Sequence, residues 1–170
     1  MAFYTVQPKE LESNLFRMVD DEWLLLCCYD KDHGRENMMT ASWGGMGVLW
    51  NRQVCFLFVR PQRYTHDLLE TQTRFSVCVL PEEYRCAHKV CGAQSGKTVN
   101  KIEATGLHEI DLDGVKALKE AKTVFVVRQL YRDNLTKGAF IEKNLLTHYP
   151  LDDFHTVYVC EIEKIFQRMI

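Results

Sequence analysis

The sequence predicts a mainly β fold with short helices, built as one domain over residues 1–170. Three observations carry that expectation. Six runs rich in Val, Phe, Leu and Tyr and bounded by turn residues lie at 23–29, 38–43, 54–59, 75–80, 123–131 and 155–166. Several are apolar on both sides, as in Val54-Cys55-Phe56-Leu57-Phe58-Val59. Such a strand needs cover on both faces, as in a barrel with helices or a partner subunit packed outside. Finally, 170 residues that are 46% hydrophobic, with 9 Gly and 4 Pro and no repeat or linker, suit one core and leave little for a second.

Between the strands, three segments read as helices. The first, 65–72, follows Pro61, with Thr65 as its N-cap and Asp67 in its first turn. The second, 81–91, opens on Pro81 and then places Glu82 and Glu83 at the positive end of the dipole. The third, 112–121, carries apolar residues at 112, 115 and 118, a helical spacing. The last strand begins apolar (Val157, Tyr158, Val159) and ends with charges between apolar residues (Glu161 to Ile165), so one of its faces meets water.

A net charge of −2 gives no reason to expect nucleic acid as a partner. The apolar runs fall far short of the roughly 20 residues of a spanning helix. Met1-Ala2-Phe3-Tyr4 lacks the basic start of a secretory signal, and the expected location is the cytoplasm. Seven cysteines, an odd number with Cys55, Cys78 and Cys160 inside apolar runs, read as buried free thiols. Cys27 and Cys28 should point to opposite faces of a strand. Cys86, His88 and Cys91 lack an evident fourth ligand for a structural zinc ion. His66-Asp67 reads as a helix start, because no serine elbow accompanies it.

Polar residues in three segments fit neither core nor plain surface. Asn37-Met38-Met39-Thr40-Ala41-Ser42-Trp43-Gly44-Gly45 could be a strand running into a Gly-rich turn, or a place where a ligand approaches the backbone. Val59-Arg60-Pro61-Gln62-Arg63-Tyr64-Thr65 offers forked donors, hydroxyls and free amides at a helix start, which suit a phosphate; a solvated loop is the alternative. The third segment runs from Cys91 to Lys101. It is not a triphosphate P-loop, since Gly92 and Gly96 enclose three residues where that motif needs four, and it follows a helix and not a strand. Its Ser95-Gly96 turn, with Lys97 and Lys101 nearby, still makes an anion cradle of another kind.

In order and approximate spacing, these segments resemble the flavin reductase-like, FMN-binding split-barrel proteins, among them flavoredoxins and the reductase components of two-part monooxygenases. The resemblance covers 37–107. It rests on Asn-x-Met-Thr-Ala-Ser-Trp-Gly-Gly at 37–45 and Val-Arg-Pro-x-Arg-Tyr-Thr at 59–65. Further matches are the run from Phe75 to Arg85, Cys91-Gly92 with Ser95-Gly96, Lys101, and Gly106-Leu107.

The resemblance implies a split β-barrel, a homodimer, and FMN in a groove at the subunit interface. Thr40, Ala41, Ser42 and Trp43 would line the flavin and ribityl chain. Arg60, Arg63 and Thr65 would meet the phosphate, with Tyr64 alongside, while Ser95, Gly96 and Lys101 close that end. Asn37 is a weaker carry-over, Lys97 is left to solvent, and His33 lies in a polar turn just before the first segment.

Hydride chemistry would belong to the flavin, so no side chain is expected to act as acid, base or nucleophile. Two functions follow from the resemblance: an NADH- or NADPH-dependent flavin oxidoreductase, or a flavoredoxin-type electron carrier. The latter would take electrons from a redox protein or serve a monooxygenase partner.

Overall fold

The fold was obtained as a computed structural model that describes residues 2–169. Its main sheet is antiparallel throughout and holds eight strands. The strands are β1 (Phe3–Val6), β2 (Leu24–Asp30), β3 (Arg35–Ala41), β4 (Gly44–Leu49), β5 (Arg52–Val59), β6 (Arg74–Val79), β9 (Thr123–Asn134) and β10 (Thr156–Arg168), while β7 (Glu109–Leu112) and β8 (Val115–Leu118) form a separate hairpin. The helices are α1 (Leu15–Arg17), continued by a π-turn at Met18–Glu22, then α2 (Tyr64–Thr71), α3 (Arg85–Ala93) and α4 (Lys101–Thr105). Among the described residues no helix is long and apolar enough to cross a membrane.

Strand order explains the shape. The path runs β3-β2-β6-β9-β10-β5-β4. Its two outermost strands, β3 and β4, are consecutive in sequence and are joined by Ser42-Trp43 alone. The sheet must therefore curl until its edges meet at that corner. β10 spans the curl: Thr156–Glu161 pair with β5, and Ile165–Arg168 pair with β1. Two register shifts against β9, at Val159/Cys160 and Ile162/Lys164, supply the bend that such a long strand needs.

Period-two alternation then sorts side chains between two cores. Leu24, Leu26 and Cys28 face inward with Leu57, Phe75, Phe125 and Tyr158. Leu25 and Cys27 face outward, onto Ala87 and Cys91 of α3 and Ala117 and Leu118 of β8. Cys27 and Cys28 thus lie on opposite faces, and helices together with a hairpin cover the outer side of β2. Leu68 and Leu69 of α2 belong to the inner core. All seven cysteines are free; six are buried, and Cys86 is exposed.

Four expectations need correcting. The segment 112–121 is not a helix. Asp113 (φ 50°) and Gly114 (φ 77°) form the two-residue turn of the β7–β8 hairpin, in which Leu112 pairs with Val115. Positive φ at both central residues matches the twist of the flanking strands, and Asp-Gly supplies it at little cost. Arg74 holds the Asp113 carboxylate at 2.9 Å, fixing the turn to the main sheet. A spacing of three is shared by a helix face and by residues flanking a tight turn, so the apolar pattern could not separate them.

The second correction concerns Gly44-Gly45, which open strand β4 and not a turn. A Cβ on Gly44 (φ 150°) would lie 2.4 Å from the carbonyl oxygen of Phe56, so only glycine lets β4 approach β5 this closely. Third, Thr65 lies within α2 and is not its cap, which is Arg63 with no side-chain capping bond. Last, Pro81 precedes a 3₁₀ turn (Glu82–Tyr84), and α3 starts only at Arg85.

Candidate functional site

The corner that closes the sheet is also where the three polar segments converge. Thr40 and Ala41 end β3, and Ser42 and Trp43 make the link to β4. Arg60 to Arg63 lead from β5 into α2, and Gln94 to Asn100 connect α3 to α4. Two cavities lie between them. The larger cleft, about 250 Å³, is lined by Met39, Thr40, Ala41, Ser42, Trp43, Phe58, Arg60, Arg63 and His155. The smaller, about 130 Å³, is lined by Gln62 to Thr65, Ala93 to Gly96 and Lys101. Arg63 belongs to both. Of the candidate cofactor-binding residues read from the sequence, only Asn37 lines neither cavity.

Asn37 stands behind the smaller cavity. Its amide nitrogen donates to Thr65 Oγ1 at 2.9 Å, which leaves the Thr65 hydroxyl proton free for another acceptor. Its Oδ1 is buried with no partner, one of few such atoms among the described residues. A Cβ on Gly96 would lie 2.0 Å from that oxygen and 3.1 Å from Tyr64 Cδ1, so the 94–97 loop closes over the cavity only because residue 96 has no side chain. Arg35 steadies the loop from outside by donating to the Gly96 carbonyl at 3.1 Å.

The cations are held by backbone. Arg63 donates to the carbonyls of Gly92 (2.7 Å) and Cys91 (2.9 Å), and burial pulls its pKa below the ordinary guanidinium value. Lys101, 3% exposed, donates to the carbonyls of Met38 (2.6 Å) and Cys91 (3.3 Å). Burial lowers the pKa of its ammonium to about 8, with Cys91 opposing the shift and Arg63 adding to it. Among the described residues neither cation meets a carboxylate, and both keep donors to spare. At the same place α2 begins without a side-chain cap; the His66 amide donates to the Arg63 carbonyl at 2.8 Å, and the Tyr64 and Thr65 amides stay available. Buried positive charge, a spare hydroxyl and open helix amides are complementary to a small dianion.

Tyr64 is braced from the other side. Its hydroxyl donates to Asp30 Oδ2 at 2.9 Å, and burial followed by that bond raises the phenol pKa to about 12. Burial pushes the Asp30 carboxyl upward, but bonds from Tyr64 and His33 outweigh it and hold the group below its ordinary value. His33 Nδ1 lies 2.8 Å from Asp30, so this histidine steadies the wall from behind. Lys97 pairs with Asp67 at 2.7 Å and caps the Tyr64 ring at 5.1 Å.

Arg60 is placed apart from the smaller cavity. It lines the larger cleft, ion-pairs with Asp153 and donates to the His148 carbonyl at 2.8 Å. It fastens the connection between β9 and β10 to the cleft, and Gln62 reinforces this with a 2.7 Å bond to Asp153. Thr40 Oγ1 donates to the carbonyl of His88 at 2.8 Å, tying the corner to α3. Exposed Cys86 and buried Cys91 sit differently on that helix, and among the described residues no group of three His, Cys, Asp or Glu is placed to hold a metal. Phe58 and His155 also line the larger cleft, and no local sequence signal marks either for it. Phe58 was hidden in an apolar run, and a single His at a strand start gives no local signal.

Residues 23–168 match the family model of the flavin reductase like domain. The chain belongs to that family. Comparison with curated protein sequences gives no match. Solved structures share the fold of this flavin reductase-like domain. An FMN-binding domain of a flavin reductases-like enzyme from Shewanella baltica superposes with a TM-score of 0.70 at 14% identity, over 98% of this chain and 77% of that one. Flavoredoxin of Desulfovibrio vulgaris gives 0.69 at 19% identity, over 95% and 77%. The styrene monooxygenase flavin reductase of Pseudomonas putida gives 0.65 at 14%, over 87% and 80%. At such identities the likeness speaks for the mainly β split-barrel architecture alone.

Proposed function

We propose that this flavin reductase-like domain holds one FMN and works as an NADH- or NADPH-dependent flavin oxidoreductase. The observation that carries the reading is the pair of cavities meeting at Arg63. One end is lined by cations and open amides and the other by Trp43, Phe58 and His155, which suits a planar ring system bearing a phosphate tail. The Gly96 cradle, where any Cβ would clash with Asn37 and Tyr64, supports an occupant in the smaller cavity.

In this reading Arg63, Thr65, Ser95 and Lys101, with the first-turn amides of α2, hold the phosphate. Tyr64 and Gly96 wall it in, and Asn37 aims the Thr65 hydroxyl. Thr40, Ala41, Ser42 and Trp43 lie along the ring and its linking chain, while Arg60 keeps the β9–β10 connection against the cleft. Bound FMN supplies the capacity to accept a hydride and release electrons. The polypeptide positions it and limits access of water.

Mixing FMN-loaded protein anaerobically with NADH or NADPH is expected to bleach the flavin absorbance. Persistent colour with either nicotinamide, followed by bleaching on addition of a reduced redox protein, would assign the electron-carrier role instead.

The same reading makes the chain a homodimer. A groove of about 500 Å³ beside the site shares Ser42 and Trp43 with the larger cleft and is walled by Leu15, Phe16, Val19 and Met46. Phe16 is 87% exposed and Trp43 43%, a costly arrangement unless another surface covers them. Sedimentation at micromolar concentration is expected to give a dimer; a monomer would leave the groove without its second wall.

A further inference from the structure

His155 sits just ahead of β10, on the wall of the larger cleft, and so far has no role beyond lining it. It is only 7% exposed and is held by contacts on three sides. Its ring packs on Trp43 at 5.1 Å between centroids and meets Phe58 edge-on at 6.4 Å. Its Nδ1 lies 2.8 Å from the Tyr149 hydroxyl.

Tyr149 is itself buried, with the Arg60 guanidinium 5.0 Å above its ring. Burial raises the phenol's pKa, so the oxygen keeps its proton. Were Nδ1–H to donate to that oxygen, the phenol proton would be left buried without an acceptor, at a cost of about 1–3 kcal/mol. The phenol therefore donates to Nδ1, and Nε2 carries the ring proton. Burial, helped by the Arg60 cation and opposed by Asp153, lowers the imidazole pKa to about 4, which keeps the ring neutral. Among the described residues Nε2 has no hydrogen-bond partner, and it is not one of the buried polar atoms left without one. Nε2 therefore keeps some exposure, on a residue that lines the cleft.

We propose that His155 is a hydrogen-bond donor of the larger cleft, presenting Nε2–H to an acceptor atom of the planar group seated beside Trp43 and Phe58, with Tyr149 as the positioning residue that fixes the tautomer. The proposal rests on the FMN reading above and adds a residue able to tune the bound ring. A neutral donor at this place stabilises whichever redox state carries more electron density on the facing acceptor, which is the reduced one.

The test uses the full chain loaded with FMN and reads the midpoint potential and the dissociation constant, with thermal unfolding as a control for folding. His155→Phe is expected to bind reduced FMN roughly threefold to tenfold less well relative to oxidised FMN, from the loss of one hydrogen bond. By the two-electron constant, that change lowers the potential by about 15–30 mV. His155→Gln, which keeps a donor, should recover much of the shift. Tyr149→Phe should shift it the same way by a smaller amount, and it carries the test if the His155→Phe variant does not fold.

An unchanged potential in a folded, FMN-loaded His155→Phe variant overturns the proposal. So does an equal shift in the Phe and Gln variants, which would reduce His155 to packing. Wild-type protein that takes up no FMN overturns the FMN reading itself and this proposal with it, a result distinct from the other two.

Discussion

The Arg63→Ala/Thr65→Ala double variant is expected to lose FMN affinity by about two to four orders of magnitude. In the proposed site each side chain would offer a bond to a charged phosphate oxygen worth about 1.5–3 kcal/mol, and about 1.4 kcal/mol is a factor of ten. The two are neighbours at one helix start, so their losses will not add cleanly. Thr65 is the simpler member. It is buried, its oxygen already accepts from Asn37, and its proton has one direction left to go.

Arg63 has a second duty, because its bonds to the carbonyls of Cys91 and Gly92 hold the end of α3 against α2. Arg63→Lys separates the two duties. It keeps the charge but cannot bridge both carbonyls and the phosphate with one planar fork. Fluorescence titration of FMN, beside thermal unfolding of the flavin-free protein, reads both effects. Unchanged flavin occupancy in a folded double variant would remove this loop from the site.

How much of this was legible beforehand depends on whether the signal was local. Thr40 to Trp43, Arg63 to Thr65, and Ser95 with Gly96 each announce themselves within a few residues, as hydroxyls, cations and glycines at an element's end. Their convergence, however, comes from the order β3-β2-β6-β9-β10-β5-β4, which brings the first and last strands of the path to one corner. No single segment encodes that order.

Arg60 shows the limit from the other direction. Its residue type suits a phosphate, but the carboxylate that claims it, Asp153, lies 93 positions away, and the donor inventory of a loop cannot say which partner wins. His155 was illegible for the same reason, since its meaning comes from Tyr149, Trp43 and Phe58 around it. The β7–β8 hairpin differs, because there two local signals compete. Asp113-Gly114 is a strong turn dipeptide, whereas the apolar spacing around it equally fits a helix face.

Lys101→Met is expected to weaken FMN binding about tenfold to a hundredfold, and its interest lies in what happens with pH. The ammonium is buried under Met38 and Cys91 carbonyls, and its folded pKa of about 8 lies below the ordinary 10.5. Between those values the unfolded chain binds the proton and the folded chain releases it, so the stability of the flavin-free protein should rise with pH through that window. Below pH 8 both states carry the charge, and the burial cost stands in full. On the proposed function the phosphate wants the opposite: raising the pH through 8 would remove a cation proposed to hold it, so FMN affinity should fall just where flavin-free stability climbs. Opposed slopes from one group are hard to produce by any other route in this cavity, because Arg63 stays charged throughout. In Lys101→Met both slopes should flatten together, as seen by titrating FMN and by chemical unfolding at pH 7 to 9. An affinity that ignores pH over that range in the wild-type protein, or a Met variant that binds FMN as the parent does, would take Lys101 out of the phosphate's reach.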